Sequence, residues 1–216
     1  MADKVTLHGY RYSVYTRAVR MVLAEKRVAY DRVELDPFAD NVSASHRLLH
    51  PFVRVPVLAH GDFVLYETAA ITRYIDAAFN GSPLTPADPK AIARMAQVIA
   101  IVDAYGYWPL VRQVFAHRIF RPLEGETASE EEIAAGLEAS RTVLAALETI
   151  ACEGLVLDGE TVTLADCHLA PMIDYFLRAP EGAAAIAVYP ALSRWWRRIS
   201  TLASLIETDP GLPAAA

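Results

Sequence analysis

Residues 80–89 read Asn-Gly-Ser-Pro-Leu-Thr-Pro-Ala-Asp-Pro, three prolines and a glycine in ten positions, and no regular element predicted from sequence runs through them. Proline removes a backbone donor and fixes φ, and it pushes the residue before it out of the helical region. The patterning on the two sides of this break differs in kind. The N-terminal side mixes period-two alternation with helical spacing, whereas the C-terminal side shows helical spacing only. The expectation is an α/β domain over residues 1–80, a linker over 81–90 and an all-α domain over 91–216, and 216 residues suffice for two ordinary cores.

Residues 4–8 read as a strand, and 14–26 as an amphipathic helix with Ala18, Met21, Val22 and Leu23 on one face. Residues 28–35 alternate like a second strand, and a polar segment over 36–45 leads into a short helix ending near His50. Two short strands, 56–59 and 63–66, flank the turn His60-Gly61-Asp62 as a hairpin, and a helix follows over 67–79. The predicted order is βαβαββα. Beyond the linker, helices are expected over 91–120 (kinked or broken at Pro109), 129–151, 163–178 and 190–203. Thr163-Leu-Ala-Asp166 fits a capping box that fixes where one of these helices starts.

Two segments of the first domain carry chemistry. Pro56 opens a strand, and a cis Val55–Pro56 bond there turns the Val55 N–H and C=O toward an extended ligand backbone. Glu67 and Thr68 open the following helix, where unpaired N–H groups and a hydroxyl favour a carboxylate. The net charge of −6 and the absence of a basic cluster argue against nucleic acid, which needs a positive face. Neither an apolar run of about 18 residues nor a charged-then-apolar N-terminus occurs, so the expectation is a soluble cytoplasmic protein without a membrane partner. Cys152 and Cys167 form no metal or disulfide motif and are expected as buried, inert thiols; no metal site is expected.

The ordered set of Ser13 with Thr16-Arg17, His50-Pro-Phe-Val-Arg-Val-Pro-Val-Leu58, Gly61-Asp-Phe-Val-Leu-Tyr-Glu-Thr-Ala-Ala-Ile71 with Arg73-Tyr74, and Thr163-Leu-Ala-Asp166 resembles the cytosolic glutathione transferases. The likeness is to phi-like, bacterial-type members that depend on a serine or another hydroxyl, and it covers nearly the whole chain. It implies a thioredoxin-like domain followed by a helical bundle, commonly as a homodimer. It also implies a detoxification activity: conjugation of the cosubstrate glutathione to small hydrophobic electrophiles.

By that resemblance Val55, held by the turn at Pro56, pairs its backbone with the cysteinyl part of glutathione. Glu67 meets the α-amino group of the γ-glutamyl end, and Thr68 holds the adjacent carboxylate. The glycyl carboxylate falls to Arg54, with His46 or Arg47 as helpers, and here the chain departs from the commoner Asn-Pro-Phe-Gly-Gln-Val-Pro by placing Val53 and Arg54 where glycine and glutamine usually stand. The hydroxyl that stabilises the thiolate is assigned to Ser13, with Tyr10 as the alternative and Thr16 as a helper; Tyr12 and Tyr15 crowd the same turn. Residues 1–151 lack cysteine, which disfavours a protein-thiolate mechanism. The electrophile is expected between the domains, against Tyr105, Tyr107, Trp108, Val111, Phe115 and Phe120, although such a stripe equally suits a bundle core. Phe52 is expected either in a partner subunit or packed within its own, and Trp195 and Trp196 in core or interface packing. The competing readings are a non-catalytic glutathione or apolar-ligand carrier of the same fold, and a specialised glutathione-dependent dehalogenase or peroxidase.

Overall fold

The computed structural model describes residues 3–39 and 44–214, the side chains of 44 and 45 excepted, so part of the expected polar segment over 36–45 lies outside the described residues. The chain divides into two compact units, residues 1–83 with 208–210, and 84–207 with 211–216. The first is built from β1 (Val5–Gly9), α1 (Val14–Glu25), β2 (Asp31–Glu34), α2 (Ala44–Leu49), β3 (Val57–His60), β4 (Phe63–Tyr66) and α3 (Thr68–Ala78). The sheet order is β2-β1-β3-β4, with β1 and β2 parallel and the other two pairings antiparallel. This is the expected thioredoxin-like arrangement.

The alternation in β1 sends Val5 and Leu7 into the core, where they join Val19, Val22 and Leu23 of α1 and Ile71 and Ile75 of α3. β2 is narrower than expected and exposed throughout, as suits an edge strand guarded by charge. Its Asp31 pairs with Lys4 at 2.7 Å, and its Arg32 pairs with Glu34. At the far end of α1 the buried Lys26 ammonium reaches Asp76 of α3 at 3.1 Å and donates to the Ser82 carbonyl at 3.3 Å. That contact joins α1 and α3 to the start of the proline-rich segment.

In the second unit α4 (Pro89–Ile101) starts inside that segment because Asp88 accepts the Ala91 N–H at 2.9 Å and Pro89 stands where no N–H is needed. The helix expected over 91–120 is not one α-helix. It widens after Ile101 into π-helical turns over Val102–Gly106 and Trp108–Phe120, with the Tyr107 N–H reaching back five residues to the Val102 carbonyl. Pro109 has no N–H to give the Tyr105 carbonyl and its ring crowds that group, so the wider turn carries the helix past it without a break. Next come α5 (Arg121–Leu123), α6 (Glu130–Cys152), α7 (Leu164–Arg178), α8 (Pro180–Ala187), α9 (Pro190–Ile199) and α10 (Ala203–Glu207).

The sequence patterning does not announce α8, since Pro180 and Gly182 read as a break. Both belong to the helix: Pro180 starts it, and a Cβ at Gly182 would lie 2.0 Å from the Phe176 carbonyl oxygen. α7 is the core helix, buried along almost its whole length. Its predicted capping box forms, with Asp166 accepting from the Thr163 N–H at 2.8 Å. Asp166 also accepts from the Thr163 hydroxyl at 2.6 Å and from the Trp195 indole N–H of α9 at 2.7 Å. Burial pushes its carboxyl above the ordinary range, and these hydrogen bonds oppose the shift. One cysteine expectation is corrected: Cys167 is buried in α7, but Cys152 is exposed, because it is the last residue of α6 and its side chain falls on the solvent side of that turn.

Candidate functional site

The sheet register gathers the first unit's candidate residues. His8 pairs with Val57 and Val57 with Tyr66, so these three residues form one row across β1, β3 and β4. The segments attached to that row emerge at a single end of the sheet: the turn after β1 that leads to Ser13, the Val55–Pro56 pair before β3, and Glu67–Thr68 after β4.

Ser13 is the N-cap of α1, with an extended backbone and its Oγ accepting the Thr16 N–H at 3.2 Å. The cap uses a lone pair of the hydroxyl and leaves its proton without a protein acceptor among the described residues. The turn closes through a Ser13 N–H to Tyr10 carbonyl bond of 3.0 Å. The Tyr10 ring packs edge-on to Tyr12 and Phe38, with centroids at 5.5 and 6.3 Å. Thr16 faces the other way: it is buried, its Oγ1 has no hydrogen-bond partner among the described residues, and it presses on Gly9, where a Cβ would sit 2.4 Å from its methyl group. It fixes the approach of α1 to β1 and does not share the exposed side of the turn.

The Val55–Pro56 peptide is cis, and the Val55 N–H and C=O make no hydrogen bond among the described residues. Val53 adopts φ +53°, the conformation that a glycine takes without cost and a β-branched residue takes under strain. Arg54 is exposed, and its guanidinium has no protein partner among the described residues. Two histidines of α2 and its C-terminal end hold this loop from inside. His46 Nε2 lies 2.9 Å from the Arg54 carbonyl oxygen, and the Phe52 N–H donates to His50 Nδ1 at 3.3 Å. The expected helper role of His46 is thereby corrected: it is buried under the loop and spends Nε2 on the backbone, leaving exposed Arg47 and Arg54 as the cations on the outside.

Glu67 stands at the N-cap of α3 with φ +71° and makes no capping bond through its side chain, so its exposed carboxylate is free of protein hydrogen bonds and ion pairs among the described residues. The first-turn N–H groups, beginning with Thr68, have no intrahelical acceptor. A strained backbone at a helix start beside an unspent carboxylate is the pattern of a binding position.

Sequence reasoning missed the support given by His46 and His50. Their i, i+4 spacing just before Pro51 was the available signal, since it puts both rings on one helix face. In the second unit the expected aromatic stripe divides. Val111 and Phe115 are core, the latter stacked on Tyr175 at 4.2 Å, whereas Tyr105 and Trp108 are exposed. His117 is buried and accepts the Ser129 N–H at 3.1 Å, a structural role. No group of three potential metal ligands occurs among the described residues.

Residues 7–83 match the family model described as "Glutathione S-transferase, N-terminal domain", and residues 107–203 match "Glutathione S-transferase, C-terminal domain". Glutathione S-transferase F14 of Arabidopsis thaliana is 31% identical over 216 aligned residues, covering 96% of this chain and 84% of that protein. Glutathione S-transferase F13 of the same plant is 29% identical over 97% of this chain and 96% of its own. The solved structure of glutathione S-transferase III in apo form superposes with a TM-score of 0.84 at 26% identity, covering 99% of each chain. The two matched domains, in their order and over nearly the whole length, establish that this chain belongs to the glutathione S-transferase family.

Proposed function

We propose that this protein conjugates glutathione to small hydrophobic electrophiles, with the thiolate held by a hydroxyl at the start of α1. The observation that carries the reading is the convergence at one sheet end of an unspent serine proton, an unpaired strand backbone and an unpaired helix start beside a free carboxylate. Two inter-strand gaps of about 4.8 Å separate β1 from β4, roughly 10 Å in all, which is also about the length of an extended tripeptide. Val55 pairs with the cysteinyl backbone, Glu67 takes the ammonium, Thr68 and the free amides of α3 take the neighbouring carboxylate, and Arg54 takes the glycyl carboxylate.

A thiol with a pKa near 8.5 is only a few per cent ionised at neutral pH, and lowering it by about two units takes roughly 2.7 kcal/mol. A hydrogen bond to a charged acceptor contributes about 1.5–3 kcal/mol and a helix N-terminus about 0.3–1 kcal/mol. Ser13 at the N-cap of α1 combines the two, so no general base is required. Tyr10 is the weaker choice because its ring is packed among Tyr12 and Phe38. Exposed Tyr105 and Trp108 offer the helical unit's aromatic surface to the electrophile. A cytoplasmic location accords with this reading, since the thiol pool is kept reduced there.

The test is an ultraviolet titration of bound glutathione together with conjugation of a chlorodinitrobenzene. Thiolate absorbance near neutral pH is expected to survive Tyr10→Phe and to fade in Ser13→Ala, with a rate loss of about ten- to a hundredfold. The reverse pattern would move the role to Tyr10. Binding without turnover on a broad panel of electrophiles would leave a carrier protein.

A further inference from the structure

The docking loop stands on a pair of imidazoles. His46 and His50 are 1% and 2% exposed, one turn apart, with ring centroids 6.3 Å from each other. Their two bonds to the loop differ in kind. His46 Nε2 faces a carbonyl and so donates, whereas His50 Nδ1 faces the Phe52 N–H and accepts, which puts the proton of its neutral ring on Nε2. The segment they hold contains Val53 in its strained conformation, together with Arg54 and Val55.

We propose that His46 and His50 are positioning residues that form a proton-sensitive clamp under residues 52–55, so that protonation of His50 loosens the docking of a glutathione backbone. A proton on Nδ1 turns the acceptor into a donor facing another donor, and the loop loses one of the two side-chain bonds that, together with the 3.0 Å bond from the Val53 N–H to the His50 carbonyl, hold Val53 at positive φ. The charge acts in the same direction. The groups whose fields reach His50 are His46 on α2, Arg54 in the loop and Glu67 at the start of α3, and the Tyr66 ring of β4 packs against it, tilted by 34°, at 4.7 Å. Glu67 is the anion among them, so an imidazolium competes for it with the ammonium of the ligand. His8 of β1 lies within the field of His46. Burial first, then His46 and Arg54, hold His50 below the ordinary imidazole value against the pull of Glu67, so the closed clamp is the resting state at neutral pH.

This inference rests on the glutathione reading, and its test separates the two. S-methylglutathione keeps both carboxylates and the ammonium but has no ionisable sulfur, and none of its groups titrates between about pH 5.5 and 7.5. Its dissociation constant is measured by calorimetry at both ends of that range on wild type and His50→Asn, with folding checked by circular dichroism. The expected result is a weakening of about threefold on acidification in wild type and no measurable change in the variant. Equal pH ratios in the two proteins would overturn the clamp alone, and no uptake by wild type at either pH would overturn the glutathione reading and the clamp with it. Should His50→Asn fail to fold, the Phe52 amide resonance of wild type decides. It is expected to titrate with the midpoint of the His50 ring, and invariance over this range would overturn the proposal.

Discussion

Val53 shows how one side chain records a compromise. Left-handed backbone costs a non-glycine residue roughly 1–2 kcal/mol, and Val53 holds φ +53° only because the surrounding loop is tied down. Glycine in an ordered segment ordinarily costs about 0.5–1 kcal/mol through chain entropy. Val53→Gly is therefore expected to be neutral or to stabilise the protein by up to about 1 kcal/mol in urea unfolding; a loss above about 1 kcal/mol would show that apolar contacts of Val53 outweigh the strain. Glu67 carries a similar strain and an unpaired carboxylate. Glu67→Gln is expected to weaken glutathione binding about tenfold or more with little change in stability, because it removes charge from a group that supports no protein contact. Unchanged affinity by calorimetry would reduce Glu67 to a surface residue.

Helix starts carry much of the organisation at the scale of elements. Asp88, Ser129 and Ser13 each accept a first-turn amide of their own helix, while Glu148 of α6 accepts the Ala191 and Leu192 amides of α9 at 2.9 Å each. The start of α7 differs because it is buried and bound by a second helix. Replacing Asp166 by Ala leaves the Thr163 N–H and the Trp195 indole N–H without their acceptor in a dry interior. Each such loss costs about 1–3 kcal/mol, so Asp166→Ala is expected to destabilise the protein by about 3 kcal/mol, where an exposed cap costs about 1 kcal/mol. A measured loss near the lower figure would mean that water enters the site. The Lys26–Asp76 contact follows the same logic, since Asp76→Leu leaves a buried ammonium with the Ser82 carbonyl. The expected cost is about 3 kcal/mol, and adding Lys26→Met should recover most of it; failure of the double variant to recover would show that the pair does not act as a unit.

For the molecule as a whole, His8, His50 and His117 all sit below the ordinary imidazole value of 6.5, with burial as the largest cause in each. A lowered folded value means that the unfolded chain binds more protons, so stability rises with pH across the interval between the two values. The contribution is complete above the unfolded value and is lost as pH falls from about 6.5 through the folded values. Thermal scans should show a flat Tm above about pH 7 and a falling one below about pH 6.5. A Tm that rises on acidification would contradict the assignment. Phe52 and Leu48 stand 68% and 88% exposed on the first unit, apolar surface of the kind that an interface between proteins covers. Sedimentation is expected to show a dimer that Phe52→Ala weakens; a monomeric wild type at micromolar concentration would remove that reading.

Local physics settled a good deal of this in advance. The proline-rich segment, the two periodicities and the cap residue Thr163 depend on neighbours a few positions away, so the βαβαββα order, the helical second half and the capping box were legible in the residues themselves. The position of Val55-Pro56 and Glu67-Thr68 was legible for the same reason. Tertiary structure decided what depends on contacts distant in sequence. Pro109 reads as a breaker, yet the helix stays continuous by widening its turns, and α8 needs glycine at position 182 because a Cβ there would collide with the Phe176 carbonyl. Asp166 looked like half of a local cap until α9 brought the Trp195 indole to its second oxygen. His46 looked like a ligand-facing cation until burial turned it onto the Arg54 carbonyl, because a side chain's direction follows the surface it can bury and no window of sequence contains that surface.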